Sequence, residues 1–256
     1  MQKIWNAGGF QIEYKEDLVS ESLLWESHCH ARFEVIAVIE GDITVAIEGR
    51  ACRIGAGECA LLPPLVYHTL ASNRQGRYHR VTLSFDSSAI PAPLLPYFSE
   101  EKRKIFVLPF PAVKTLQEAY RAPDPAFFSP LAESVMTALL YEVHRRRDDA
   151  ADVQIDAELQ KMLSYIDQHL CESVSLRDIA AATALSESSV CHIFKEKMRI
   201  SPIQYVKSKR LALASKCIAD GMPPTAAASY VGYADYSSFY RAYKSCFGNN
   251  PSKNKD

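Results

Sequence analysis

Between residues 10 and 85 the apolar positions come in short, dense runs. RFEVIAVIE (32–40), DITVAIEG (42–49), ECALLP (58–63) and YHRVTLSF (78–85) are rich in Val, Ile and Phe, and Gly41, Gly49, Gly55 and Gly57 punctuate them. Short β-branched runs between glycine turns predict strands, and several at this spacing predict a β-barrel or sandwich. SSAIPAPLLP at 87–96 reads as a Pro-rich connection. From Ser129 the period changes. Leu131, Val135, Leu139 and Val143, with Met136 and Leu140 beside them, fall at helical spacing. This stripe has two readings, packing on its own barrel or a dimer-forming surface. RRRDDAAD at 145–152 is polar and charge-dense, so it reads as a linker dividing the chain into residues 1–150 and 151–256.

Beyond the linker every apolar pattern is helical. Leu159, Met162, Leu163, Ile166 and Leu170 mark a first helix. Ser175 suits the cap of LRDIAAAT, with Asp178 three residues on as a capping box. Ser186 suits the next cap, and there Val190, Phe194 and Met198 predict a buried stripe with Ser188, His192 and Lys195 on the other face. Two short helices joined by a tight turn, the second with an apolar back and a small, basic front, form a helix-turn-helix pattern. The pattern recurs 49 residues later. Asp235 takes the place of Ser186, and Phe239, Tyr243 and Phe247 take the stripe. Ser237, Arg241 and Lys244 take the front, with Tyr240 beside them. Between the copies, Ser201 and Pro202 start a helix of ~18 residues that Gly221 stops. Such a rod is about 27 Å long, enough to place two helices in successive major grooves about 34 Å apart.

Composition adds two constraints. With 256 residues, 48% hydrophobic and 23% charged, the chain has the balance of a globular protein with room for two cores. The net charge of −1 conceals an asymmetry. Residues 174–256 hold 12 Lys+Arg and 6 Asp+Glu, a balance of +6; residues 1–173 hold 17 and 24, a balance of −7. A basic second half suits an anionic partner such as nucleic acid. Seven cysteines, an odd number without a CxxC, do not form a disulfide framework and fit a reducing cytoplasm. No apolar run approaches the ~20 residues of a membrane helix, and MQKIWNAGGFQIEYKED lacks a signal-peptide stretch. The expectation is a cytoplasmic protein without a membrane partner.

The helical half resembles the DNA-binding domain of AraC-type transcription regulators over about residues 175–251. The matching stretches are LRDIA, ALSESSVCHIFKE, SPIQYV followed by KRLALASKCI, and VGYADYSSFYRAYKSCFGNNP. The resemblance implies an all-α domain of two helix-turn-helix units binding double-stranded promoter DNA. It places Ser188, Cys191 and His192 toward bases in the first unit, and Tyr236, Ser237, Tyr240 and Arg241 in the second. Arg241 can bond guanine O6 and N7 together. Lys195, Lys207, Lys209, Arg210 and Lys244 are expected at phosphates. It also implies a small-molecule effector, a homodimer, and RNA polymerase as a partner if the protein activates. The chain departs from the family pattern at Arg199, where glycine is usual, and at Pro224 and Ala227, where large apolar residues are usual. PSKNKD also lacks the Tyr and Arg that commonly follow the last proline.

In HCHARFEVIAVIEG, an extended strand puts His28, His30 and Glu34 on one face, because side chains two apart point the same way. His68 follows in GECALLPPLVYH. Together these resemble the cupin signature, with Leu65 where glycine is usual and Asn73 one residue late. The resemblance implies an N-terminal all-β, cupin-like barrel with flanking helices. In metal-bearing cupins these four residues hold the ion, and three imidazoles with one carboxylate suit Zn, Ni, Mn or Fe in the +2 state. The same residues, with Arg32, Tyr67 and Arg80, equally suit a metal-free pocket for a polar effector such as a sugar. A wholly structural barrel is the third reading. Two function classes follow: a ligand-responsive regulator that is no enzyme, and a metal-dependent cupin enzyme fused to a DNA-binding domain. No acid–base residues beyond the ligands are identifiable, which favours the regulator. A DNA-binding protein whose barrel only dimerises completes the set.

Overall fold

A computed structural model describes residues 2–7, 10–19, 28–90, 92–93, 106–109, 115, 125–145 and 156–253. The expected linker at 145–152 lies outside these residues from 146 onward. The chain divides into two compact units, one of residues 1–27 and 32–153 and one of residues 28–31 and 154–256.

The first unit contains β1 (Gln2–Ala7), β2 (Phe10–Val19), β3 (Phe33–Glu40), β4 (Asp42–Ile47), β5 (Arg50–Gly55), β6 (Glu58–Leu62), β7 (His68–Ser72), β8 (Gly76–Phe85) and β9 (Phe106–Pro109). They form a six-stranded sheet in the order β1-β2-β8-β3-β6-β9 and a three-stranded sheet in the order β5-β4-β7. The strand pairings are antiparallel. The central strand β3 explains why VIAVI shows no alternation: both of its faces are covered. Its odd residues Phe33, Val35 and Ala37 join Phe10, Ile12, Leu61, Leu83 and Phe85 in one core. Its even residues Ile36 and Val38 join Ile43, Val45, Ile54, Leu62 and Leu70 in a second core shared with the three-stranded sheet.

The helix α1 (Pro125–Arg145) closes the first core. Ala132, Val135, Met136, Leu139 and Leu140 are buried against the strand residues, and Leu131 packs partly on them. The barrel-packing reading of the 131–143 stripe therefore holds for the described side chains, and the dimer-surface reading of Val135 and Leu139 is corrected. Of Val143 only the backbone is described.

The second unit is helical: α2 (Ala157–Gln168), α3 (Leu176–Thr183), α4 (Glu187–Met198), α5 (Pro202–Ala219), α6 (Pro224–Tyr230) and α7 (Tyr236–Phe247). The expected caps form. Ser175 and Asp178 make a reciprocal capping box, as do Ser201 and Gln204. Ser186 accepts from the Ser189 amide, and Asp235 from the Ser238 amide. The stripe Val190, Phe194 and Met198 is buried. Phe239 and Tyr243 are buried, with Phe247 packed against them. The repeat reaches the helix ends, where Arg199 and Gly248 both terminate their helices in the left-handed region, at φ 58 and 72. The copies differ at their first helices. Pro223 gives α6 no side-chain cap, and only Ala227 and Ala228 are buried there.

Candidate functional site

The first candidate site forms where β3 meets β7. Glu34, an even residue of β3, faces the three-stranded sheet, and His68 opens β7 from that sheet. Glu34 is 9% exposed and His68 1% exposed. The Nε2 of His68 lies 3.1 Å from the Oε2 of Glu34. Its Nδ1 lies 3.0 Å from the carbonyl of Val66, which can only accept, so Nδ1 carries a hydrogen. The rings of His28 and His30 lie 5.6 Å apart, centre to centre. One ligand atom from each of His28, His30, Glu34 and His68 falls within 4.8 Å of all the others.

This convergence has a different cause from the one expected. Ala31 and Arg32 form a bend, and β3 begins at Phe33, so His28 and His30 do not share a strand with Glu34. The bend, not strand alternation, accompanies the gathering of the four. Leu65, at the motif's usual glycine position, has φ 61, so the backbone keeps the glycine conformation without the glycine.

The set fits a divalent transition ion. Donors about 2.1 Å from one metal sit roughly 3 to 4.2 Å from each other, within the observed spread. With Nδ1 protonated, a neutral His68 directs a lone pair from Nε2 at the Glu34 carboxylate. Two acceptors 3.1 Å apart require a cation between them, either a proton or a metal ion.

Arg80 lies on the same face of the six-stranded sheet as Glu34, opposite Val38 in register, and is 9% exposed. Burial disfavours its charge, but the field of Tyr78, Glu13 and Glu34 outweighs that and holds its pKa above the ordinary value. Arg80 Nη2 is 3.6 Å from Glu13 Oε1. Buried Thr82 is next along this face, and its hydroxyl finds no hydrogen-bond partner among the described residues. Tyr67 is buried, and half-buried Arg32 pairs with Asp86 at 3.5 Å. Sequence reasoning missed Glu13 and Thr82. The available signal was the alternation Gln11, Glu13, Lys15, Asp17 in β2, which reads as a solvent face but pairs with Ser84, Thr82, Arg80 and Tyr78.

The second candidate site is the pair of helices α4 and α7. Ser188, His192 and Lys195 are exposed on α4, and Cys191 is half-buried. Tyr236, Ser237, Arg241 and Lys244 are exposed on α7. His192 is 3.7 Å from Glu196, and Arg241 is 3.3 Å from the Ser238 hydroxyl, both loose contacts that leave the front available. Tyr240 is half-buried, and its hydroxyl donates to Asn250 at 2.7 Å.

Of the residues expected at phosphates, Lys195, Lys207 and Lys244 are exposed. Lys209 and Arg210 are corrected. Lys209 is 5% exposed, with Nζ 2.5 Å from Asp167 and 5.4 Å from the Tyr205 ring centre. Arg210 is spent on backbone carbonyls of Leu170, Glu172 and Gly232. Both sit on the inward side of α5, which a run of cations in the sequence does not reveal.

Residues 22–163 match the model of the AraC-like ligand binding domain, and residues 179–255 match a helix-turn-helix domain. A probable transcriptional regulator LumQ of Photobacterium leiognathi is 35% identical over 91 residues, 35% of this chain and 37% of that protein. The arabinose operon regulatory protein of Escherichia coli is 26% identical over 125 residues, 48% of this chain and 43% of that one. The chain thus spans about two fifths of the length of these relatives. The structure of apo ToxT from Vibrio cholerae aligns over 97% of both chains at 12% identity, with a TM-score of 0.48. Among the described residues no helix is long and apolar enough to cross a membrane.

Proposed function

This chain belongs to the AraC family of transcription regulators, and on that premise we propose that it is a sequence-specific DNA-binding regulator answering a small molecule held in the first unit. The carrying observation is the in-register pair α4 and α7, each with a buried apolar back and an exposed polar front, in the basic part of the chain. Arg241 reads a guanine edge, and Ser188, Cys191, His192, Tyr236 and Ser237 meet neighbouring base edges. Lys195, Lys207 and Lys244 neutralise phosphates, which supplies affinity without sequence information. The chain works as a homodimer in the cytoplasm, and contacts RNA polymerase where it activates.

His28, His30, Glu34 and His68 form the sensing site, and would hold a divalent transition ion. When bound, such an ion supplies a Lewis-acidic point for an oxygen of a polar effector, a sugar for example. The protein's own contribution is to fix the ligands: the Val66 carbonyl holds the His68 tautomer, and Glu34 supplies the negative charge. Arg80 and Thr82, on the Glu34 face, offer donors to the same effector.

The test is selection from a random DNA pool by the full chain, followed by binding with and without candidate effectors. Enrichment of a bipartite sequence whose affinity changes with one effector supports the reading. Recovery of random sequence only, or turnover of the candidate by the purified chain, overturns it, and turnover would favour the enzyme alternative.

A further inference from the structure

Arg210 sits at the middle of α5, the 18-residue rod between the two helix-turn-helix units. Its Nε donates to the Leu170 carbonyl at 2.8 Å, its Nη2 to the Glu172 carbonyl, and its Nη1 to the Gly232 carbonyl at 3.3 Å. Leu170 and Glu172 lie just beyond the end of α2, in the segment leading into the first helix-turn-helix, α3 and α4. Gly232 lies in the turn between α6 and α7, inside the second helix-turn-helix. One planar fork therefore ties the segment entering the first helix-turn-helix to the turn inside the second. Its acceptors are carbonyls just past two helix C-termini, where unpaired oxygens and the helix dipole favour a cation.

The surroundings are built for this fork. Gly232 has φ +83, and a Cβ there would stand 3.1 Å from Arg210 Cζ and 3.1 Å from the Cys171 carbonyl oxygen. The absent side chain is the room the guanidinium uses. Burial pulls the Arg210 pKa below its ordinary value, yet an arginine stays charged. The apolar residues of α5 also touch both helix-turn-helix copies, but hydrophobic contacts are non-directional and permit rotation. Three donors in a rigid plane do not.

We propose that Arg210 is a positioning residue that fixes the spacing and rotation between α4 and α7, so that the chain accepts only one separation between the two halves of its DNA site. This rests on the reading of both helices as DNA-reading elements. One extra base pair between the halves displaces the second by about 3.4 Å and rotates it by about 35°. A braced pair cannot follow that change.

The experiment uses the full chain and the bipartite DNA it selects from a random pool. Binding is measured on that DNA, on versions with one base pair added or removed between the halves, and on one half alone. Wild type should lose affinity steeply when the spacing changes. Arg210→Gln should lose about tenfold on the native spacing, the equivalent of one charge-assisted hydrogen bond. It should bind a single half as wild type does, so its penalty for altered spacing shrinks. Arg210→Lys should behave like the glutamine variant, because one ammonium cannot span three carbonyls; a phosphate-binding arginine would instead be rescued. Circular dichroism and melting establish folding, and the lysine variant is read if the glutamine variant does not fold. Equal losses on every DNA, an unchanged spacing penalty, rescue by lysine, or failure of both variants to fold each overturn the proposal. A wild-type chain that selects no sequence is a different result, and overturns the DNA-binding reading itself.

Discussion

Glu34 Oε2 lies 3.1 Å from His68 Nε2, in a contact that joins the six-stranded sheet to the three-stranded one. Because Val66 fixes the hydrogen on the far nitrogen, this contact needs a cation. Full chain purified without a histidine tag should carry about one transition ion, and a chelator should lower its melting temperature. Glu34→Gln separates a metal from a proton. If an ion is bound, the variant loses both the ion and stability. If the bridge is only a proton on His68, elemental analysis finds no ion in either protein, and the metal reading fails.

Arg241 should carry sequence information that its lysine neighbours do not. Its side chain is exposed, and its contact to Ser238 is long. Arg241→Ala should cost about 1–3 kcal/mol on selected DNA and relax preference at one position. Lys195→Ala and Lys244→Ala should weaken all DNA alike and reduce the salt dependence of binding. Equal loss for Arg241→Ala on selected and random DNA would place Arg241 at a phosphate instead.

Arg199 holds at φ 58 the left-handed cap that Gly248 holds at φ 72 in the second copy. A side chain there costs about 1 kcal/mol relative to glycine. Arg199 is exposed, so Arg199→Gly gives up little packing and should raise the melting temperature, read by thermal denaturation. Leu65 at φ 61 carries the same strain but is half-buried, so removing its side chain also loses apolar burial and the two effects offset. A lower melting temperature for Arg199→Gly would mean that its side chain makes a contact worth more than the strain.

The helical unit was legible because its signals are local. Caps, stripes and the copy at 49 residues all follow from short-range spacing, and Ser175, Ser201 and Asp235 cap as read. The four named segments are β3, β4, β6 and β8, while β1, β2, β5, β7 and β9 went unnamed. RACRIG and HTLAS are short, and RACRIG, on the edge strand, carries arginines. The four residues of the first site were found by spacing, but the bend at Ala31 and Arg32 shows that spacing was not the geometric cause. Lys209 and Arg210 were misassigned because the partners that bury them, Asp167 and the carbonyls of Leu170, Glu172 and Gly232, are 22 to 42 residues away.

Asp42 gives the first unit an acid-sensitive point. Its carboxylate accepts from Arg53 and from Asn73, and Arg74 lies 3.6 Å away. The hydrogen bond from Arg53 is the main cause that holds its pKa at about 2, below the ordinary 3.8, against the opposing effect of burial. A depressed carboxylate stabilises the fold above its unfolded pKa, and that stability disappears as pH falls through the folded value. Stability should therefore drop between about pH 4 and pH 2, and Asp42→Asn should flatten that limb while lowering stability at neutral pH. An unchanged acid limb in the variant would assign the acid sensitivity to other carboxylates.

Leu139 decides what the stripe on α1 does. It is 2% exposed and packs in the same core as Phe10, Val35 and Phe85. Leu139→Ala should cost about 2–5 kcal/mol, the lost burial plus the cavity left behind. Val135→Asp should unfold the first unit, because a carboxylate there has no partner to offset its desolvation. The outward face of the same helix is different: Thr137 and Ala138 are exposed, and Tyr141 is 58% exposed. Tyr141→Glu should leave the melting temperature within about 0.5 kcal/mol of wild type in equivalent stability. If the homodimer forms through α1, that substitution should yield folded monomers in light scattering. Monomers from Leu139→Ala that keep the wild-type melting temperature would instead return the stripe to a dimer surface and remove it from the core.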